Sequence, residues 1–480
     1  MDRRRFLAAA GTALLGGCAF GGSDGAPTET PTPAPDETPT ATPDETPASE
    51  NVDPESVVEQ VRSADRVVDF ETAPLTASLV ESHQVRTPDG LGFHYSLVEP
   101  ETPDSPALMW AAIENRQEYE QTFRPDRVPG FDGSATIVPT ENHDLLGYSV
   151  GVTRGDDGRW RRNADLREWR EDPVIIGAGG VVFGEYHLVA GDPITPGRYD
   201  NGPSGDARFT VTVWPTDAPG PDGESAFEGR SVPEPPFGGP VVWYHEADAG
   251  TEVYLEPSTE RVTAPGRVEF TLRNYAQQRV SISDGPLFKL VEGSWYRVKS
   301  SGVGAIEVEP GETTRTTLGL FDGRSTTDKY WYVGHLGGGR YAYTINRGGQ
   351  ERRYAAMFDL GAPAVSPGLE EGVDVERDGE EVVVTTPEWN DADEHSPRTE
   401  IVSERTDTDT DRRVVAEQLF RRRFRAYRNA LPAFEAGVER VVLRTDWSTV
   451  DETAGLDELE LTVAYDGERF HVEGENPYTE

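Results

Sequence analysis

The sequence predicts a mainly β protein: two β-sandwiches in tandem, then a small α+β domain, all behind a disordered N-terminal stalk. Three observations predict it. Apolar residues alternate with period two in short runs from Pro74 onward, with Gly, Pro and Asp-Gly breaks between them, the pattern of a sandwich. From about Pro367 the pattern changes to hairpin, helix, strand and hairpin. Residues 18–51 have no apolar period at all.

The boundaries follow from these shifts. Residues 1–17 form a signal, 18–51 a stalk, and 52–216 a first, diverged sandwich. A linker at 217–240 leads to a second sandwich at 241–364 and the α+β domain at 365–480. The 480 residues suffice for three domains of about 150 residues each.

The first eighteen residues carry the clearest signal. Arg3-Arg4-Arg5-Phe6-Leu7 precedes a short apolar run to Leu15, then Gly16-Gly17-Cys18. A basic patch, an apolar core and small residues in that order make an export signal. Arg3, Arg4, Phe6 and Leu7 resemble the twin-arginine export pattern, with Asp2 where that family usually has Ser or Thr. Leu15-Gly16-Gly17-Cys18 resembles the lipobox of prokaryotic lipoproteins. That resemblance implies a lipid on the Cys18 thiol and Cys18 as the mature N-terminus. Phe6 to Leu15 is too short for a membrane span, which needs about 20 residues. Cys18 is the sole cysteine, so a disulfide within the chain is excluded.

Asp and Glu number 86 against 45 Lys and Arg, a formal charge of −41. Lys289, Lys299 and Lys329 are the only lysines. Such a charge repels itself strongly in dilute buffer, but in molar salt the Debye length is about 3 Å. The composition resembles that of extreme halophiles of the archaeal type. It disfavours nucleic acid as a partner. The stalk, with Pro35-Asp-Glu-Thr-Pro39 repeated as Pro43-Asp-Glu-Thr-Pro47, could reach ~100 Å as polyproline II at about 3.1 Å per residue.

Asp53-Pro54 starts a short helix with Val57, Val58 and Val61 on one side. Strands are then expected at Leu75–Val85, Leu91–Val98, Ala107–Asn115, Ala135–Pro139 and Leu145–Val152. Gly184–Val189 and Phe209–Trp214 complete the first set. In the second set, Val268–Asn274, Gly293-Ser-Trp-Tyr-Arg-Val298, Val308-Glu-Pro-Gly-Glu312 and Gly338-Gly-Arg-Tyr-Ala-Tyr343 follow at sandwich spacing. Together they resemble a prokaryotic immunoglobulin-like domain. The first sandwich reads as a copy, with Leu108–Asn115 in the place of Val268–Asn274 and Gly197-Arg198-Tyr199 in that of Gly339-Arg340-Tyr341. In the last domain, hairpins turn at Asp378-Gly379 and Asp466-Gly467. One helix is expected from Arg412, capped by Asp411, to about Leu431. Its apolar stripe is Val415, Leu419, Phe420, Phe424, Tyr427 and Leu431.

Several clusters invite a chemical reading. Asp407, Asp409 and Asp411 have calcium-loop spacing, but an EF-hand's sixth-position Gly and twelfth-position Glu are Arg412 and Gln418 here. An acidic loop before a helix accounts for them. Glu185 with His187, and His245 with Glu246 and Asp248, lack a third ligand. Trp295, Tyr296, Tyr330, Trp331 and Tyr332 could form a platform for sugar or peptide, or be sandwich core. Arg412, Arg413, Arg421, Arg422, Arg423, Arg425 and Arg428, on that one helix, suit a membrane surface or, preferably, salt bridges to the chain's own acidic strands. The sequence points to no catalytic, cofactor-binding or metal-ligating residue.

The expectation is therefore a lipid-anchored protein on the outer face of the cell membrane, held through Cys18. It would bind or scaffold a surface protein or glycan without catalysis. The alternatives are an extracellular enzyme with its site in the C-terminal domain, or an immunoglobulin-like proteinase inhibitor. A pocket of convergent His and carboxylates marks the first alternative and a protruding rigid loop the second.

Overall fold

The computed structural model describes residues 54–63, 67–81, 90–125, 128, 137–144, 149–164, 173–189, 194–201, 209–302, 304–325, 329–347, 352–454 and 459–478. The export signal, Cys18 and the stalk at 18–51 lie outside the described residues. The fold is mainly β, built from several sheets, and the chain divides into two compact units, Met1–Asp217 and Ala218–Glu480.

The first unit stacks two four-stranded sheets. One runs Val67–Asp69, Leu75–Glu81, Phe209–Pro215, Gly197–Asn201. The other runs Leu91–Glu99, Ala107–Asn115, Val181–Leu188, Ile137–His143. Because side chains alternate across a strand, each sheet sends every second residue inward. Leu79, Val211 and Val213 from one sheet meet Leu97, Met109 and Tyr186 from the other in one core. The rings of Tyr95 and Phe209 touch across it, with centroids 4.7 Å apart. The helix Pro54–Ser63 covers the outer face of the second sheet, where Val61 packs with Ala112 and Phe183. That cover explains why Val181–Leu188 is buried on both sides rather than alternating. The strand expected across Leu145–Val152 is corrected over its described residues. Residues 145–148 lie outside the described residues, residues 149–151 form no strand, and Val152–Arg154 pairs with Trp160–Arg162 around Gly155–Gly158.

The second unit begins with residues 218–240, which hold neither helix nor strand but are fastened down. Phe227 is buried in an apolar cluster with Trp243 and Trp295, and the Trp295 indole donates to the Pro233 carbonyl at 3.1 Å. A large sheet then orders Val241–Trp243, Arg353–Gly361, Gly339–Arg347, Val280–Val291 and Ser294–Lys299. Facing it are Val253–Pro257, Gly266–Asn274, Thr313–Leu320 and Tyr332–Val333. Phe270, Leu318, Tyr343 and Phe358 are among the residues filling the space between.

Both sandwiches repeat two polar corners. The Asn115 amide donates to the carbonyls of Tyr119, Ile176 and Gly177, and its oxygen accepts from the Gln117 amide. The Asn274 amide donates to Gln278 and Val308, and its oxygen accepts from Ala276. The Tyr199 hydroxyl donates to the Thr195 carbonyl four residues back, and Tyr341 donates to Gly337 in the same way.

The C-terminal part has one seven-stranded sheet: Asp374–Asp378, Glu381–Thr385, Arg440–Asp446, Arg398–Arg405, Glu468–Gly474, Glu460–Tyr465 and Arg412–Arg413. The expected long helix from Arg412 to Leu431 is corrected to a series of short pieces. Arg412–Arg413 is strand, Ala416–Leu419 and Arg425–Ala430 are α-helical, and 3-10 turns fill Arg422–Phe424 and Leu431–Ala433. Tertiary contacts override the helical period. Val414 enters the C-terminal core while its neighbour Val415 enters the sandwich core, an alternation no helix can give. Arg421 then turns extended, at φ −99 and ψ 141, and its guanidinium reaches the Gly334 carbonyl at 2.8 Å. Asp411 caps no helix; its carboxylate accepts from the Thr462 amide at 2.7 Å. A helix missing from the sequence reading, Trp447–Ala454, is capped by Asp446, which accepts from the Thr449 amide and hydroxyl.

Candidate functional site

The site grows from an irregularity in Val280–Val291. Its pairing with Gly339–Arg347 shifts register between Asp284 and Leu287. Gly285 and Pro286 cause the shift: Pro lacks an amide hydrogen for the ladder, and a Cβ on Gly285 would stand 2.2 Å from the Thr344 carbonyl oxygen. The bulge aims the Asp284 carboxylate at three donors. Lys299 Nζ approaches to 3.0 Å, and the hydroxyls of Tyr330 and Tyr343 both donate to it.

Lys299 is buried with its ammonium 3.7 Å from the centre of the Tyr330 ring, and it also reaches the Ser300 carbonyl at 3.2 Å. Burial pulls its proton affinity below the ordinary lysine range, against the pull of Asp284. Burial, and then Asp284, push the phenols of Tyr330 and Tyr343 well above theirs. Both tyrosines therefore act as donors. With three donors on it, Asp284 is a positioning group: it fixes Tyr330 over Lys299.

Tyr330 and Trp331 stand above this assembly, 43% and 45% exposed. They are carried by Tyr332–Val333, which pairs in parallel with Gly319–Leu320. Gly319 permits that approach, because a Cβ there would lie 2.4 Å from the Tyr332 ring. Between the two aromatics and the strand Thr313–Leu320 lies an open cleft of about 710 Å³, bounded on the strand side by Arg315, Thr316 and Thr317 and elsewhere by Ser301. The cleft can stack a flat apolar face, offer hydroxyls and present one guanidinium.

The five aromatics singled out in the sequence thus separate. Trp295 is core, stacked on Trp243 at 5.9 Å. Tyr296 packs against the sandwich core, and Tyr332 lies over Gly319 beside Phe321. Tyr330 and Trp331 face the cleft. Sequence reasoning missed Asp284, Lys299, Arg315 and Tyr343. The available signals were Asp284-Gly285-Pro286 interrupting a strand, and a lysine where the chain has almost none.

The other candidates resolve into structure. Glu185 is buried and accepts from the Trp110 indole, the Thr140 hydroxyl and the Asn142 amide, while burial lowers the pKa of His187. The His245 ring is 3.1 Å from the Arg230 carbonyl, and Asp248 closes a turn with Thr251. Among the described residues no group of three His, Cys, Asp or Glu could hold a metal ion, the aspartates 407, 409 and 411 included. Four of the arginines pair with glutamates of loops, turns and helices rather than of the expected acidic strands: Arg413 with Glu292, Arg422 with Glu452, Arg425 with Glu370 and Glu388, Arg428 with Glu370. No described helix is long and apolar enough to cross a membrane.

No protein family model and no curated protein matches the chain. Among solved structures, an alkylpurine DNA glycosylase of Pseudomonas fluorescens is 21% identical over 24% of this chain and 32% of its own, at a TM-score of 0.17. A β-glucosidase of Listeria innocua is 14% identical over 24% and 16%, at 0.15. A red sea bream transglutaminase is 10% identical over 57% and 32%, at 0.14. The chain spans a third or less of each, and at these scores the likenesses carry no functional argument.

Proposed function

We propose that this is a cell-surface binding protein, held to the outer face of the membrane by a lipid on Cys18, whose second sandwich presents a ligand cleft. The twin-arginine signal at Arg3, Arg4, Phe6 and Leu7 exports the folded chain, and residues 18–51 act as a stalk. Both sandwiches are read as immunoglobulin-like copies of one module; the paired corners at Asn115 and Asn274, and at Tyr199 and Tyr341, support that descent. The acidic, lysine-poor surface is read as adaptation to molar salt.

One observation carries the binding reading: Tyr330 and Trp331 leave their rings exposed above a cleft while a buried ion pair fixes the floor beneath Tyr330. Adjacent exposed rings over a preorganised base are the usual makings of a recognition surface. The test uses the full-length protein in molar salt. Wild type and Trp331→Ala are compared for saturable retention of cell-surface material and for turnover of peptide, ester, glycoside and phosphate substrates. Retention lost in the variant, without turnover by wild type, supports the reading. Turnover abolished by one His or carboxylate substitution overturns it.

A further inference from the structure

We propose that the cleft takes an acidic saccharide, a pyranose carrying a carboxylate. This rests on the binding reading above and specifies its ligand. A pyranose ring sets C–H groups on its faces and hydroxyls around its rim. The cleft matches that division: the rings of Tyr330 and Trp331 offer flat apolar contact, and Ser301 and Thr317 bring hydroxyls to the wall.

Charge selects the acidic sugar over the neutral one. Lys299, Lys329 and Arg315 lie in or beside the cleft in a chain of net charge −41; Lys299 pairs with Asp284 and Arg315 stands near Glu269. Two of the chain's three lysines are gathered here. Asp284 already accepts from Lys299 and both tyrosines. Arg315 is the cation best placed to meet a ligand: its side chain is 65% exposed and Glu269 stands 3.6 Å away, a loose pairing. Lys329 Nζ lies 5.7 Å from the Trp331 ring centre, so a cation also flanks the platform. In molar salt, attraction beyond about 3 Å is screened. Recognition must then come from contact, and a guanidinium fork against a carboxylate is the contact that keeps its geometry.

The experiment titrates the full-length protein in molar potassium chloride with oligogalacturonate, with a neutral galacto-oligosaccharide of equal length, and with an oligoglutamate peptide. Tryptophan fluorescence and calorimetry are the readouts. The expected result is saturable oligogalacturonate binding, at least tenfold tighter than the neutral sugar. Trp331→Ala should weaken it at least tenfold, and Arg315→Gln should erase the preference for acid over neutral. Both side chains are exposed, and circular dichroism checks that the variants fold. Equal binding of the two sugars, or binding indifferent to Trp331→Ala, overturns the proposal. Oligoglutamate bound through Trp331 while both sugars are ignored overturns the saccharide and leaves the cleft standing. If neither these probes nor cell-surface material is retained through Trp331, both readings fall together.

Discussion

Lys289, on the bulged strand of the second sandwich, and Glu417, on a short helix of the C-terminal part, form a buried ion pair. Glu417 also accepts from the Gly337 amide at 3.1 Å, and its neighbour Gln418 donates to the Arg297 carbonyl at 3.2 Å. Phe420 stacks on His335 with centroids 4.0 Å apart. Sandwich and C-terminal sheet are thus fastened by polar contacts that each need the other side. Glu417→Ala should cost about 3–5 kcal/mol, because it removes the partner of Lys289 in a site with little water. The double variant Lys289→Met, Glu417→Leu should recover most of the loss. Urea unfolding in molar salt measures both; a single variant without effect would show that the pair carries no stability.

The asparagine corners give a second prediction. Asn274→Ala orphans the carbonyls of Gln278 and Val308 and the amide of Ala276, at about 1–3 kcal/mol for each group that water does not reach. Asn115→Ala should act in the same way on the first unit. Two transitions followed by separate probes should move one at a time.

Asp144 provides a pH dependence. Burial raises its carboxyl from 3.8 to about 6, opposed by a hydrogen bond from the Phe183 amide. Between those values the folded state holds a proton that the unfolded state has released, so this group's contribution to stability falls as pH rises through the window. Asp144→Asn should flatten the slope between about pH 4 and 6 and make the protein more stable than wild type at pH 7. Denaturation curves at pH 4.5 and 7.5 decide it; an unchanged slope would place the carboxyl in water.

Cys18→Ser tests the anchor. The variant should leave the membrane fraction or accumulate with its signal uncleaved, as read by fractionation and by the mass of the N-terminal peptide. A wild-type mass without lipid would remove the anchor from the functional reading.

The strands were legible where one face is buried and the other is not. Ala107–Asn115 and Gly266–Asn274 form over the residues their alternation indicates, and both end on an asparagine. The hairpins were legible through turn chemistry: Asp466 and Gly467 both have positive φ, as the tight turn requires. The region after Asp411 was misread because the period of its apolar residues reports burial, not which core does the burying. Val415 and Leu419 fit one helical stripe, yet they enter different cores. The cleft was half legible. Trp331 and Trp295 look alike in sequence, yet Trp331 precedes the edge strand Tyr332–Val333 and stays exposed, while Phe227 and Trp243 cover Trp295.

The bulge has a consequence for how this surface can change over time. Asp284 and Gly285 set both the hydrogen-bond register of the central strand and the floor of the cleft. Under the proposed binding role, selection on binding and selection on folding meet at the same two positions, and neither can drift without harming the other. Arg315 and Thr317, on a strand paired through its backbone, and Trp331, in the turn just before Tyr332–Val333, carry no such double duty at the rim. A lineage that switched ligands would be expected to rewrite the rim while keeping the floor intact.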